Sequence, residues 1–243
     1  MHTTLNYSPN FDIKKRKIKD IKFIIFHYTG MKKESDVIKK LINIDSKVSS
    51  HYFIKNSGEI VTLVPDLYIA WHAGISSWKK YKSVNKYSIG IEVSNAGHDN
   101  KYKKFSKKQI ISLIKLSKFL IKNYNIKSQN ILGHSDIAPE RKKDPGEKFP
   151  WKYLSKNKIG YWHNLNQENL LKKRNSKTNN IEKKIFIQNL FKIGYPKNLS
   201  INKNEYFQII TKAFQRRFRQ EIINGIIDQE CLIISENLAK KFN

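Results

Sequence analysis

The sequence contains almost no cysteine and no long apolar segment. Its single cysteine, Cys231, excludes an internal disulfide and any site built from several cysteines, and we expect it to be a small buried side chain. A metal ion would therefore need histidine and carboxylate ligands. No apolar run approaches the ~20 residues of a membrane span, and the first residues lack the layout of a secretory signal. We expect a chain without a transmembrane segment that stays in the cytoplasm; removal of an N-terminal signal would instead indicate the periplasm or the outer membrane.

Acidic residues are scarce beside basic ones. The 20 Asp and Glu against 47 Lys and Arg give a formal net charge of +27, which is compatible with a polyanionic partner such as nucleic acid, an anionic membrane or a cell-wall polymer. The lysines, however, are spread along the whole chain and alternate with isoleucine and asparagine. Because that distribution is typical of a compositional bias, the charge alone indicates no particular partner.

Short apolar or alternating segments predict the strands of a sheet. They are residues 21–27, 51–64 (a hairpin around an Asn-Ser-Gly turn), 88–95 and 130–134. His27 and His134 stand at the carboxyl ends of the first and last segments. In residues 88–95 aliphatic and polar side chains alternate, which places Glu92 on the face opposite the aliphatic ones.

Apolar residues at helical spacing predict two helices between the strands and three after them. The first two are residues 37–43 and 106–124, the second with a capping box from Ser106 and Gln109. A polar stretch from about 155 to 184 follows, which we interpret as a connector, and then come residues 186–193, 203–219 and 228–242. This order predicts an α/β fold, a mixed central β-sheet flanked by helices, with a small C-terminal three-helix module.

One loop, GHSDIAPERKKDPG (133–146), gathers many side chains that bind metals or carry protons. A solvated charged loop would have the same composition. His134 and Asp144 from this loop, together with His27 from the first strand, would nevertheless give zinc three protein ligands and leave one position for water, as a catalytic zinc requires. Glu92 is a candidate general base, and Lys142 a candidate cation for the oxyanion that forms when an amide is attacked. The alternatives for these two are an exposed strand carboxylate and one lysine among many.

Five segments together resemble the type 2 N-acetylmuramoyl-L-alanine amidases, in their AmiD/AmpD-like branch. They are FIIFHYTG, SSHYFI, LVPDLYIAWHAGISSW, NKYSIGIEVSNAG and ILGHSDIAPERKKDPGEKFPW, in order over about residues 20 to 155. The resemblance implies one zinc ion per chain, held by His27, His134 and Asp144, with Glu92 as the base and Lys142 as the oxyanion stabiliser. It also implies the fold that these zinc peptidoglycan amidases share with peptidoglycan recognition proteins.

The resemblance implies further residues with weaker support. The candidate substrate-binding residues are Trp71, His72, Ala73, Asn85 and Arg141; for the first two, the alternative is a core tryptophan beside a surface histidine. We expect His51 to be structural and His98 and His163 to be surface residues.

The C-terminal segment, which contains AFQRRF, resembles a small helical peptidoglycan-binding module. The chain would then divide into a zinc amidase domain with its connector (1–180) and a helical peptidoglycan-binding-like domain (181–243). The segment is richer in charge than such modules usually are, so a packing role is the alternative to glycan binding. We expect Arg216, Arg217 and Arg219 to form a solvated face or to contact anionic glycan.

The sequence thus predicts a monomeric zinc-dependent amidase that hydrolyses the bond between N-acetylmuramic acid, or its 1,6-anhydro form, and L-alanine of peptidoglycan or muropeptides. We expect no nucleic-acid partner. A non-catalytic peptidoglycan recognition module is the first alternative, although all three ligand positions are filled. A nucleic-acid-binding protein, suggested by charge alone, is the second.

Overall fold

A computed structural model describes residues 3–198 and 200–242. Over these residues the strands are β1 (Thr4–Leu5), β2 (Phe11–Asp12), β3 (Phe23–Tyr28), β4 (Tyr52–Ile54), β5 (Ile60–Thr62), β6 (Ile69–Ala70), β7 (Ser77–Trp78), β8 (Tyr81–Lys82), β9 (Ser88–Val93) and β10 (Ile131–Gly133). The α-helices are α1 (Glu34–Ile42), α2 (Lys107–Tyr124), α3 (His134–Ile137), α4 (Trp151–Lys156), α5 (Gln167–Lys173), α6 (Asn180–Ile193), α7 (Lys203–Phe218) and α8 (Gln229–Ala239). In this part of the chain, no helix combines the length and apolar character that crossing a membrane requires.

The main sheet is mixed, as predicted, with strand order β1-β5-β4-β9-β3-β10. Adjacent strands in it run parallel except β4 and β5, which form the predicted antiparallel hairpin. The pairs β2–β6 and β7–β8 form two small separate sheets. At the centre, β3 and β9 are parallel and in a register that sets His27 directly beside Glu92.

The two faces of the central strands pack against different helices. Ile24 and Ile91 belong to a hydrophobic cluster that includes the buried side of α2. Phe23 and Ile25 face the other way and join a cluster with the buried residues of α6, α7 and α8. Because side chains alternate along a strand, His27 lies on this second face. Its neighbour Glu92 lies on the same face, at the carboxyl end of the next strand.

The helices after residue 150 differ from the prediction in the start of α6 and in two additional short helices, α4 and α5. Helix α5 lies inside the predicted connector, where Leu170 is its one buried residue, so the sequence shows no apolar period there. Helix α6 begins at Asn180 because Asn179 and Glu182 form a capping box, whereas the apolar spacing predicts a start at Phe186. The first turns of α6 are exposed, and exposed turns leave no hydrophobic pattern.

The C-terminal helices pack on the sheet through a shared hydrophobic cluster. Phe186 of α6 and Phe214 of α7 belong to the same cluster as Ile25 of β3 and Leu132 of β10. Cys231 is fully buried in this cluster, as predicted. The division into 1–180 and 181–243 stays a prediction, but contact between the two parts is extensive and apolar.

The expectation of a solvated arginine face is wrong for two of the three arginines. Arg217 and Arg219 are 2% and 1% exposed. Arg217 forms an ion pair with Asp136, and Arg219 forms one with Asp228. The reason is their position: Arg217 in the last turn of α7 meets Asp136 of α3, and Arg219 just after α7 meets Asp228 before α8.

Candidate metal centre and active site

The structure brings His27, His134 and Asp144 together, although they are distant in sequence. His27 Nδ1 lies 2.9 Å from His134 Nδ1 and 3.0 Å from Asp144 Oδ2, and His134 Nδ1 lies 3.1 Å from the same carboxylate oxygen. All three side chains are buried. Strand β3 carries the first, the start of α3 the second, and the loop after α3 the third. Among the residues that the structure describes, these three have ligand atoms close enough together to hold a metal ion.

Hydrogen bonds behind the ligands fix which imidazole nitrogens carry hydrogen. Ser88 Oγ donates to Val84 O, so Ser88 must accept from His72 Nε2, 3.0 Å away. In neutral His72, Nδ1 is then an acceptor, and it takes the hydrogen of His27 Nε2 at 3.0 Å. His27 Nδ1 is left with a free lone pair that points into the ligand cluster.

The second histidine of the cluster, His134, is oriented in the same way. His134 Nε2 lies 3.1 Å from Ala73 O, a carbonyl that can only accept. With its hydrogen on Nε2, His134 would also present an Nδ1 lone pair to the cluster. The three atoms His27 Nδ1, His134 Nδ1 and Asp144 Oδ2 lie within 3.1 Å of one another. A metal ion between these three atoms would bind all of them at once.

The donor set fits zinc. Tetrahedral zinc with ligands at about 2.0–2.1 Å requires ligand atoms that are about 3.3 Å apart, and the three distances here are within a few tenths of an ångström of that value. Two imidazoles and one carboxylate are ligands that zinc accepts, and the hydrogen bonds from the far side of each ring are the usual support of such ligands.

Electrostatics favour the metal-binding forms of His27 and Asp144. Burial, reinforced by the neighbouring His134, lowers the pKa of His27 to about 4, so this imidazole is neutral at pH 7. Burial alone would raise the pKa of Asp144, but the His134 and His27 side chains hold the pKa of this carboxylate well below its usual value. Neutral imidazole and ionised carboxylate are the ligating species.

Two of the predicted substrate-binding residues have their partners within the protein. Asn85 Oδ1 accepts from the backbone N–H groups of His72 and Ala73 at 3.2 and 2.7 Å. Arg141 donates to the carbonyls of Ala73 and Ile75. These contacts fix the loop that supports both histidine ligands, and direct substrate contact by these residues stays a prediction.

The alternative for Trp71 and His72 is a core tryptophan beside a surface histidine, and the structure shows the reverse. The indole of Trp71 is partly exposed and donates to Asp12 Oδ1 at 2.7 Å, whereas His72 is buried. The His72 ring fits against the sheet because the neighbouring strand carries glycine at position 90, where a Cβ would overlap the ring. A side chain at Gly90 would push His72 away from His27.

Glu92 lies beside the ligand cluster in a cavity of about 390 Å³ that His72, His134, Lys142 and Asp144 also line. Burial raises the pKa of Glu92 to about 8, and the nearby charge of Asp144 adds to the effect. Its Oε2 atom is buried and has no hydrogen-bond partner in the described residues. Glu92 therefore has one carboxyl oxygen without a protein partner beside the cluster, and it is not the exposed strand carboxylate of the alternative.

Lys142 reaches the same cavity from the loop after α3. It is half-buried, and its charge acts on both Glu92 and His27. The loop that contributes it is anchored by two backbone hydrogen bonds to Ala138 O, from Arg141 and Lys142. The sequence prediction that Glu92 and Lys142 share a site with the ligands is thus matched by their common cavity.

The prediction of a surface residue is wrong for His163, whereas His98 is partly exposed but held by specific partners. His163 is 7% exposed. His98 is half-buried, with Tyr28 Oη at 2.8 Å and Glu147 Oε2 at 2.9 Å, so it connects the residue after the first ligand to the segment after Asp144. Burial of a histidine between aromatic rings leaves no signal in one sequence. His51 is structural as expected, since it is fully buried and accepts from the backbone N–H of residue 90.

Comparison with known proteins finds one matching family model and several relatives, all described as amidases. Residues 17–147 match the family model described as N-acetylmuramoyl-L-alanine amidase. The chain is 34% identical to N-acetylmuramoyl-L-alanine amidase AmiD of Escherichia coli, over 91% of this chain and 83% of the relative. It is 32% identical to 1,6-anhydro-N-acetylmuramyl-L-alanine amidase AmpD of Haemophilus influenzae, over 61% of this chain and 88% of the relative.

Two solved structures have the same fold over most of their length. The Escherichia coli AmiD structure, a complex with anhydro-N-acetylmuramic acid-L-Ala-D-gamma-Glu-L-Lys, superposes with a TM-score of 0.82 at 33% identity and covers 91% of this chain and 90% of its own. AmpDh3 of Pseudomonas aeruginosa, in complex with anhydromuramic pentapeptide, gives a TM-score of 0.80 at 28% identity, with 96% and 97% covered. Both similarities extend beyond residues 17–147 into the C-terminal helices.

Proposed function

This chain belongs to the N-acetylmuramoyl-L-alanine amidase family, and from that premise we propose that His27, His134 and Asp144 hold one zinc ion beside Glu92 and Lys142. The activity is hydrolysis of the amide between N-acetylmuramic acid and L-alanine. The observation that carries the zinc proposal is the convergence of His27 Nδ1, His134 Nδ1 and Asp144 Oδ2 to within 3.1 Å of one another.

A zinc ion in this position would supply Lewis acidity, which polarises the amide carbonyl and makes a water molecule more acidic. The protein supplies the orientation. The His72–Ser88 hydrogen bonds and the Ala73 carbonyl hold the two imidazoles so that they lose little freedom when the ion binds.

Glu92 accepts the proton of the attacking water in this proposal and passes it to the amine of L-alanine as the amide bond breaks. Its raised pKa makes Glu92 a stronger base once it is ionised, and the positive charge of a bound metal ion would favour that ionised form. Its position supports the role too, since its Cα lies directly beside that of the ligand His27 on the neighbouring strand.

Lys142 places its positive charge where the carbonyl oxygen becomes negative. The side chain lines the ligand cavity from the side of the Asp144 loop. Losing one such contact typically costs about 3–4 kcal/mol in the transition state. Lys142 would therefore share the oxyanion with the metal.

For the substrate we propose a muropeptide whose peptide extends into a second, larger cavity. This cavity, about 700 Å³, shares Met31 and Asp99 with the first, and its lining includes Lys32, Lys101, Lys103 and Lys104. A stem peptide with free carboxylates, like the one bound to AmiD, would be attracted by these lysines. Exchanging Lys101 and Lys103 for glutamine should raise KM several-fold, whereas glutamine at the exposed Lys118 of α2 should leave KM unchanged.

The experiment that tests the metal proposal is removal and return of zinc. Purified protein should lose amidase activity on anhydro-muropeptide after chelation and regain it with one equivalent of zinc per chain. Activity that is indifferent to the chelator would overturn the zinc assignment. Retention on DNA that falls steeply with salt and ignores the chelator would instead support the nucleic-acid alternative.

A further inference from the structure

Asp136 lies two residues after the ligand His134 and is almost fully buried. Its Oδ2 atom accepts from the backbone N–H of Gly133 at 2.8 Å, so it closes the turn that leads into α3. Helix α3 has only four residues, His134–Ile137. A single turn of helix is not stable alone, and the position of His134 therefore depends on what holds this turn from outside.

The C-terminal helices hold it through Arg217. One Nη of this arginine donates to Asp136 Oδ2 at 2.5 Å, and the other donates to Ile131 O at 2.9 Å. The hydroxyl of Tyr195 donates to Asp136 Oδ1 at 2.9 Å. The backbone is thus held on both sides of His134, at the start of β10 and inside α3.

The surroundings of the arginine leave it little freedom. Its Cζ atom lies 4.2 Å from the centre of the Trp151 ring and 4.7 Å from that of Tyr161, and the side chain is almost fully buried. A guanidinium that stacks on aromatic rings and donates to two fixed acceptors has one available geometry. Lysine could keep the charge but could not make both hydrogen bonds in this geometry.

We propose that Arg217 is a positioning residue for the metal centre, and that the C-terminal helices serve to hold the His134 segment in its ligating position. The proposal rests on the zinc site described above. It gives the C-terminal module a role in metal binding that does not require the module to bind glycan. The proposal follows from the contacts of Asp136, whose carboxylate accepts hydrogen bonds both from the backbone of Gly133 and from Arg217 and Tyr195 of the C-terminal module.

The test measures zinc affinity by competition with a chromophoric chelator. Arg217→Lys should bind zinc about 10- to 100-fold more weakly than the wild type, the range seen when the groups behind a metal ligand are altered. The control is Arg219→Lys. Like Arg217, Arg219 is buried at the end of α7 and forms an ion pair with an aspartate, Asp228. The Nε atoms of both arginines lack a partner among the described residues. The side-chain partners of Arg219, which are Asp228, Asn224 and Glu230, lie in the C-terminal module itself, so zinc affinity should stay within about twofold of the wild type even if the melting temperature falls.

A milder pair of variants decides the question if Arg217→Lys fails to fold. Tyr195→Phe removes only the hydroxyl that bonds Asp136, whereas Tyr206→Phe removes a hydroxyl that bonds Pro196 O at 2.6 Å in the same module. The first should weaken zinc binding about three- to tenfold and the second should not. Equal zinc affinity of the wild type, Arg217→Lys and Tyr195→Phe would overturn the inference. A wild type that binds no zinc at all would instead overturn the metal site itself.

Discussion

Replacing Glu92 with glutamine should stabilise the metal-free protein, and increasingly so as pH rises. The pKa of Glu92 is raised by burial from 4.5 to about 8. Well below pH 4.5 the carboxyl is protonated in the folded and unfolded chains alike, so it adds no pH dependence. Between pH 4.5 and pH 8 the unfolded chain releases a proton that the folded chain retains, so the folded state loses stability as pH rises. Above pH 8 the loss is complete.

The expected size follows from the shift. Each pH unit between the two pKa values corresponds to about 1.4 kcal/mol, which gives roughly 3–5 kcal/mol for Glu92. The glutamine of the variant cannot ionise. The difference between the free energies of unfolding of Glu92→Gln and the wild type should therefore grow by this amount between pH 4.5 and pH 8. Such a change is a large part of the stability of a typical domain.

The measurement is urea unfolding of metal-free wild type and Glu92→Gln, followed by tryptophan fluorescence at several pH values from 4.5 to 8.5. Comparing the two proteins at each pH cancels the titration of all other groups. Glu59→Gln is the matched control, since Glu59 is an exposed glutamate just before β5 whose pKa is lowered by its hydrogen bonds to Thr4 and Lys55. If the difference between the free energies of unfolding stays constant across this range, Glu92 is already ionised in the folded protein and burial does not raise its pKa.

Three further predictions concern the centre itself. Glu92→Ala should retain zinc and lose turnover, whereas Asp144→Ala should lose both. Metal analysis and an amidase assay on the same preparations measure this. Near wild-type cleavage by Glu92→Ala would mean that another group is the base. Lys142→Ala should lower kcat about 100-fold or more with zinc content unchanged, and unaltered turnover would remove it from the mechanism. Gly90→Ala should displace His72, because its Cβ would overlap that ring, and should weaken zinc binding about tenfold or more; a variant with normal affinity would show that the His27–His72 hydrogen bond is dispensable.

Much of the centre is predictable from the sequence because it depends on strand ends. A short apolar run that ends in histidine, and an alternating run with a glutamate on its polar face, indicate where His27 and Glu92 stand before any contact is known. Strands β3, β9 and β10 do end at these residues or next to them. The resemblance to the amidases supplies the roles, and the structure brings the predicted ligands within 3.1 Å of one another.

The supporting contacts are not predictable from the sequence, because they join segments that are far apart in it. Arg217 and Arg219 have the pattern of a charged surface in AFQRRF, and only the fold reveals the aspartates that they meet. The hydrogen bond between Ser88 and His72 likewise has no local pattern. Helix α5 escapes prediction because one buried leucine gives no period. Local periodicity indicates which elements form, whereas ion pairs between elements reveal how they are assembled.

The parallel register of β3 and β9 sets His27 beside Glu92 and Phe26 beside Ile91. Shifting one strand by a single residue would exchange the two sides of its pleat, moving aliphatic side chains into the cavity and the ionisable ones into the apolar layer under α2. Misalignment is thus disfavoured by the same packing that holds the sheet together. Packing of the core therefore also sets the geometry of the candidate site, since any chain that reaches the native core has His27 and Glu92 side by side on adjacent strands.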